Sequence, residues 1–462
     1  MNVCVQRNLS WQILGLLMVC CCTGLSQAQS AVSSAGVGIA RSGAGTYNTA
    51  GIYVMPQPEI FRVEEFINYH RHDLPLPSGE NRIRFTTQTL ELADGQKLIQ
   101  LGITTPRDLD PELIPPLNMV LVIDQSGSMS GERLQNVKKA LKKLANRLRP
   151  QDKVCIVGFN SHASVILEAT NKSRIKKINN AIEGMQAGGS TNLHAGLMLG
   201  YQQAELHFDK ERSNRVILLS DGITNSGVVD TKQIADESKR FNRRGIDLST
   251  IGLGQDLNHD LLRDLADAGR GLIHFVGDSK DIEKTFVNEV ESLLAPAAKK
   301  VKLEIEFVQQ DDDTFVFGYS PKRKGTRQIF RLDNLNHGAT QVVLIRTNAD
   351  NADEVVAKIS YVDAVNGQSV TLPAESLPTK RESLHKNYGI ALLAQSLHDA
   401  AGKSNDGNSE SAIKLLRQGL RHSKRLSQLN TEDADYNRVR DIVKNYRTRI
   451  KDSVNGRSQT DR

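Results

Sequence analysis

The sequence predicts a doubly wound α/β domain with a mostly parallel sheet, flanked by β-sandwich segments and followed by a helical C-terminal region. Three observations carry this. Between residues 117 and 295 short apolar runs alternate with segments of helical spacing, on either side of that span the apolar period falls to two, and from 381 onward it rises to three or four. A chain of 462 residues exceeds what one core normally organises, so two or three domains are expected.

Residues 1–28 read as a secretory signal peptide, because Arg7 precedes the apolar run 11–22 and Ser26 and Ala28 supply small residues for cleavage. That run is short for a membrane span and no later stretch approaches 18 apolar residues, so the protein is expected to be secreted or periplasmic with no membrane span. The residues before Cys20, Cys21 and Cys22 are not the small ones of a lipid-attachment box, which argues against a lipid anchor. Cys4 lies in the same segment. Only Cys155 remains, and in Lys153-Val-Cys-Ile-Val-Gly158 it reads as a small buried strand residue without a disulfide.

Residues 29–55 are Ser, Ala and Gly rich over most of their length and suggest a flexible leader. The segment 56–116 holds a short helix around 63–68 and two alternating strands, 82–92 and 97–105, joined by a turn at Ala93-Asp-Gly95. In the α/β domain, 117–295, strands read at 118–123, 153–159, 163–169, 215–220, 247–252 and 271–276. Helices read at 132–148, 173–184, 192–205, 231–243, 259–268 and 280–293. Crossovers of that length demand parallel pairing, while the short gap between 159 and 163 forces one hairpin.

Period two returns in 296–380, with strands at 301–308, 314–318, 327–332, 339–347 and 357–362. Helical spacing fills 381–456, and the basic residues of its last helices read as a solvated face. Because β sequence stands on both sides of the α/β domain, the simplest packing inserts that domain into one sandwich built from both flanks.

Composition narrows the function. Aromatics make up 5% and Trp11 is the single tryptophan, which argues against stacking on sugars or single-stranded nucleic acid. The net charge of +6 is spread among 59 basic and 53 acidic residues and does not point to nucleic acid.

The chemistry gathers where the apolar run 119–123 ends. Asp124, Ser126 and Ser128 follow it, Gly188-Gly-Ser-Thr-Asn192 forms a loop before a helix, and Val216-Ile-Leu-Leu-Ser-Asp-Gly222 is a buried strand ending in Asp221. Strand carboxyl ends are where open α/β sheets bind ligands. This order of Asp-x-Ser-x-Ser, Thr191 and Asp221 resembles a von Willebrand factor A domain. The resemblance spans about 117–295 and includes Ile251-Gly-Leu-Gly254 and Ala266-Asp-Ala-Gly-Arg-Gly271.

The resemblance implies a metal-ion-dependent adhesion site in which Ser126, Ser128 and Thr191 are hydroxyl ligands and Asp124 and Asp221 bind directly or through water. Such oxygens suit a hard ion, Mg²⁺ first and Mn²⁺ or Ca²⁺ after it. Neutral hydroxyls leave the ion electron-poor, so a Glu or Asp carboxylate from a protein partner is the expected further ligand. The flanks, with Phe61-Arg-Val-Glu-Glu-Phe-Ile-Asn-Tyr69 and Asn387-Tyr-Gly-Ile-Ala391, are similar to those of exported bacterial A-domain proteins of the YfbK type.

The expectation is therefore a binding protein and not an enzyme. A strand-end phosphatase nucleophile has a second Asp two residues on, where Ser126 stands, and neither a Gly-x-Ser-x-Gly elbow with plausible partners nor a His-Glu-x-x-His motif is present. Gly402-Lys-Ser404 is not a phosphate loop, because Leu397 occupies the earlier Gly position. His194 reads as a surface or packing histidine, Asp311-Asp-Asp313 as a solvated turn, and Asn171-Lys-Ser173 as a glycosylation acceptor only in a eukaryotic cell. A metal-dependent hydrolase and an assembly component that binds through the C-terminal helices are the alternatives.

Overall fold

The structure is a computed structural model describing residues 37, 40, 45–79, 81–107, 115–221, 224–253, 259–276, 296–309, 313–332, 334–348, 355–426 and 433–460. The expected signal peptide with its cysteines, the helix 280–293, and Asp311 and Asp312 lie outside them.

The central sheet runs, edge to edge, through strands 270–276, 246–253, 213–220, 117–124, 153–159 and 163–171. Its strands are β5 (Leu117–Asp124), β6 (Lys153–Phe159), β7 (Ala163–Asn171), β8 (Ser213–Ser220), β9 (Ile246–Leu253) and β10 (Arg270–Val276). All pairs are parallel except β6 and β7, the expected hairpin. β5 is buried at every residue, as a central strand covered on both faces must be. Met119, Leu121 and Ile123 face α2 (Glu132–Arg147) and α3 (Ile175–Glu183), while Val120 and Val122 face α4 (Leu193–Leu206). The remaining described helices of this domain are α5 (Thr231–Arg243) and α6 (His259–Ala268). Burial pushes the Cys155 thiol up to about 12, which suits a packing role.

The flanks do form one sandwich. β3 (Arg84–Glu91) and β4 (Gln96–Thr104) precede the α/β domain, and β16 (Thr340–Asn348) follows it, yet β16 pairs antiparallel with β4 from Thr340↔Thr104 to Asn348↔Gln96. The second sheet is built on β11 (Pro296–Glu306) with β14 (Arg327–Arg331), β17 (Val356–Asp363) and β18 (Ser369–Pro373). Ile99, Leu101, Ile103, Val343 and Ile345 meet Leu303, Ile305 and Ile359 between the sheets.

The other face of β4 and β16 carries Leu98, Val342 and Leu344 against α7 (Arg381–Asn405), which packs on α8 (Ser409–Leu426) and α9 (Ala434–Thr460). α7 and the sheet also share a buried polar chain, Asn387 Nδ2 to Gln100 Oε1 at 2.8 Å and Gln100 Nε2 to Gln88 Oε1 at 3.1 Å. Basic residues expected on a solvated helix face partly turn inward. The Arg438 guanidinium of α9 lies 4.5 Å from the Tyr69 ring centre, and on α7, the first of the three helices, Lys386 holds Asp433 and Asp435 at 2.9 Å each.

The flexible leader is corrected at its C-terminal end. Thr46–Tyr47 and Tyr53–Val54 pair as an antiparallel ribbon, and Tyr53 and Met55 are buried. Gly and Ser content hid these anchors: Tyr53 packs near Tyr446 of α9, and its backbone N–H donates to Ser453 Oγ at 3.0 Å. The following turn, Pro58–Ile60, is held from both sides, since Arg263 of α6 donates to the Glu59 carbonyl at 2.8 Å and His398 of α7 to the Pro58 carbonyl at 2.9 Å. Among the described residues no helix is long and apolar enough to cross a membrane.

Candidate functional site

β5 and β8 run in register, Ile123 opposite Leu219, so Asp124 and Ser220 end at the same level of the sheet. Asp124 is fully buried and both its oxygens are engaged: Oδ1 accepts the Ser126 N–H at 2.8 Å and Oδ2 the Ser220 hydroxyl at 2.6 Å. Burial raises its carboxyl above the ordinary range, the Ser220 and Ser126 hydrogen bonds work against this, and the neighbouring Asp221 charge adds to the rise.

Ser126 is buried and Ser128 exposed, with their hydroxyl oxygens 3.0 Å apart. The loop carrying Thr191 is tied to this first loop by two backbone bonds, Gly127 N to the Gly189 carbonyl at 3.0 Å and Gly188 N to the Gln125 carbonyl at 2.8 Å. Gly189 has φ +82°, and a Cβ there would stand 2.8 Å from Ser161 Oγ, so the loop's path depends on glycine. Asn192 then caps α4, its Oδ1 accepting the Ala195 N–H.

All five expected site residues thus sit on the three loops at one end of the sheet, and Asp124, Ser126, Thr191 and Asp221 are each buried. Sequence reasoning passed over four of their supports. Ser220 fixes Asp124, and its signal was the residue just before Asp221. Asn225 accepts the Thr191 N–H at 2.8 Å, and the Thr224 hydroxyl donates to the Thr191 carbonyl at 3.2 Å. Arg133, in the first turn of α2, reaches Asp221 Oδ2 at 3.1 Å. His194 is held at 2.8 Å by Glu237 of α5 in a part-buried pair, within the expected surface or packing role. No group of three or more His, Cys, Asp or Glu side chains is placed to hold a metal among the described residues, so an ion here would depend on hydroxyl oxygens.

The model of the von Willebrand factor type A domain matches residues 118–288. Uncharacterized protein YfbK of Escherichia coli (strain K12) is 34% identical over 265 residues, 55% of this chain and 46% of that protein. Inter-alpha-trypsin inhibitor heavy chain H4 of Homo sapiens is 27% identical over 279 residues, 58% of this chain and 28% of that one. A solved von Willebrand factor type A protein from Catenulispora acidiphila has a TM-score of 0.48 at 13% identity, covering 80% of this chain and 94% of that one. The chain spans less than half the length of both curated relatives named here. Residues 118–288 are a von Willebrand factor type A domain, and over about half of its length the chain is similar to YfbK.

Proposed function

We propose that this chain is a protein-binding protein whose A domain holds Mg²⁺ through Ser126, Ser128, Thr191, Asp124 and Asp221 and offers the ion to a Glu or Asp carboxylate of a partner protein. The observation that carries this reading is the Ser126 to Ser128 oxygen separation of 3.0 Å beside two carboxylate residues. Two neighbouring ligands of an octahedral ion at about 2.1 Å lie about 3.0 Å apart, so these two hydroxyls, hydrogen-bonded to each other here, already stand at the spacing that such an ion needs. The donor chemistry agrees, since hydroxyl and carboxylate oxygens favour hard ions over the softer ones that seek thiolate or imidazole. Asp124 is already oriented by Ser126 and Ser220, and a divalent cation would relieve the burial of its charge. When bound, the ion supplies an electron-poor centre for an incoming anion, and the chain's own residues position it.

A hydrolase reading fares worse because a general base would have to work beside Asp124. Both Asp124 oxygens are engaged in hydrogen bonds, and His194 is bound to Glu237. The composition of residues 1–28 supports an exported location for the protein.

The test is calorimetric titration of the full chain with Mg²⁺ and Ca²⁺, followed by partner capture with Mg²⁺, with chelator, and with Asp124→Ala. Mg²⁺ heat in the wild type that vanishes in Asp124→Ala, with capture lost in chelator, is the expected result. Capture indifferent to all three conditions would overturn the reading and direct attention to the C-terminal helices.

A further inference from the structure

Arg133 lies across the mouth of the crevice. Its Nη1 donates to Asp221 Oδ2 at 3.1 Å and to the Ser128 backbone carbonyl at 3.3 Å, so one guanidinium bridges the first loop and the end of β8. No other cation pairs with Asp124 or Asp221 among the described residues. The two ends of this ion pair differ in surroundings. The Asp221 side chain is 5% exposed and fixed in the crevice, whereas the Arg133 side chain is 42% exposed on the solvent side and able to swing out without opening the fold.

We propose that Arg133 is the internal counter-cation of the metal site: without an ion its guanidinium neutralises Asp221, and the incoming divalent cation displaces it. This rests on the metal-site reading given above. Charge counting supports the exchange. Asp124 and Asp221 against Arg133 leave one negative charge in excess. Adding a divalent ion while Arg133 stays in place reverses that to one positive charge in excess, with two cations a few ångströms apart. Their repulsion in a half-desolvated crevice is substantial. An ion pair open to solvent on one side is weak, by contrast, and gives way readily. Arg133 therefore lowers the affinity for metal while steadying the metal-free loops, so that the site loads only above an ion concentration set by this side chain.

The experiment is calorimetric Mg²⁺ titration of the full chain, wild type against Arg133→Gln and Arg133→Lys, with thermal midpoints measured with and without saturating Mg²⁺. Arg133→Gln is expected to bind Mg²⁺ about three- to tenfold tighter, with Arg133→Lys near the wild type. Its midpoint should fall below the wild type without metal and recover with it, because ligand linkage adds more stability to the tighter binder. Binding in Arg133→Gln alone would support the proposal in its strongest form. Arg133→Gln binding no tighter than a wild type that does bind would overturn this proposal and leave the metal site standing. No heat in either protein would overturn both.

Discussion

Ser220 Oγ stands 2.6 Å from Asp124 Oδ2, joining the carboxyl ends of two adjacent parallel strands inside the site. Both residues are fully buried, so the carboxyl cannot turn to water if that hydroxyl is lost. Ser220→Ala should therefore cost roughly 1–3 kcal/mol, the range for a buried hydrogen bond to a charged group. It should also weaken Mg²⁺ binding by about tenfold, because supports of first-contact groups typically matter on that scale. Ser220→Thr keeps the hydroxyl and should restore much of both. Urea unfolding together with metal titration separates the two effects, and an unchanged metal affinity in Ser220→Ala would show that Asp124 needs no such support.

Asn68 joins the short helix Val63–Ile67, here α1, to the sandwich. Its Nδ2 donates to the Glu64 carbonyl at 3.0 Å and the Val342 carbonyl at 3.1 Å, while Oδ1 accepts the Val342 N–H at 2.7 Å and meets His72 Nε2 at 3.1 Å. Asn68→Ala leaves the Val342 N–H and carbonyl without these partners in a buried place, at a cost of roughly 2–4 kcal/mol. Asn68→Asp keeps the acceptor, loses the donor and buries a charge, so it should be no better. Equilibrium unfolding measures this directly, and a loss under about 0.5 kcal/mol, the level of an ordinary surface change, would refute the account.

How much of this was legible in the sequence depends on how local the signal is. Apolar runs gave the A-domain strands, and the short gap at 159–163 gave the hairpin, because burial and chain length act within one segment. The sandwich shared between flanks was legible because period-two sequence stands on both sides of the A domain, and β16 pairing with β4 joins the two. Arg133 was not legible: in a helix's first turn it reads as a solvated residue, and only the juxtaposition of α2 with the end of β8 turns it toward Asp221. Ser220 was hidden for a similar reason, since it continues a buried strand and its role follows from the β5 and β8 register. Tyr53 sat in a segment whose Gly and Ser content outweighed one aromatic anchor.

The His70 and His72 rings lie tilted to each other with centres 4.5 Å apart where the N-terminal segment meets α7 and α9, and both are buried. Burial first, then the Lys386 and Arg438 charges, pushes His70 down to about 3. Burial, His70 and Lys386 hold His72 well below its ordinary value against the opposing pull of Asp435. Both folded-state values lie below the unfolded value of about 6.5, so the unfolded chain takes up protons that the folded chain refuses. Stability is fully present above about pH 6.5 and is lost as pH falls below it, by up to about 1.4 kcal/mol per pH unit for each ring. Urea midpoints measured near neutrality and in mild acid should fall accordingly, and His72→Gln should flatten the slope. Parallel slopes in the two proteins would mean that this ring carries no linked proton.

Gly200 sets helix propensity against packing. Ala is the better helix former by about 1 kcal/mol, and Gly200 lies within α4, so propensity alone makes Gly200→Ala stabilising. A Cβ at that position would, however, run into Val122 Cγ2 of β5, a fully buried side chain on the central strand that leads to Asp124. Overpacking of this kind costs about 1–3 kcal/mol, so packing should win and Gly200→Ala should be net destabilising by about 1 kcal/mol. Val122→Ala removes the clashing methyl, and the double variant should be more stable than the sum of the single losses, a coupling that only direct contact explains. Strictly additive single and double variants would place the cost of Gly200→Ala somewhere other than Val122.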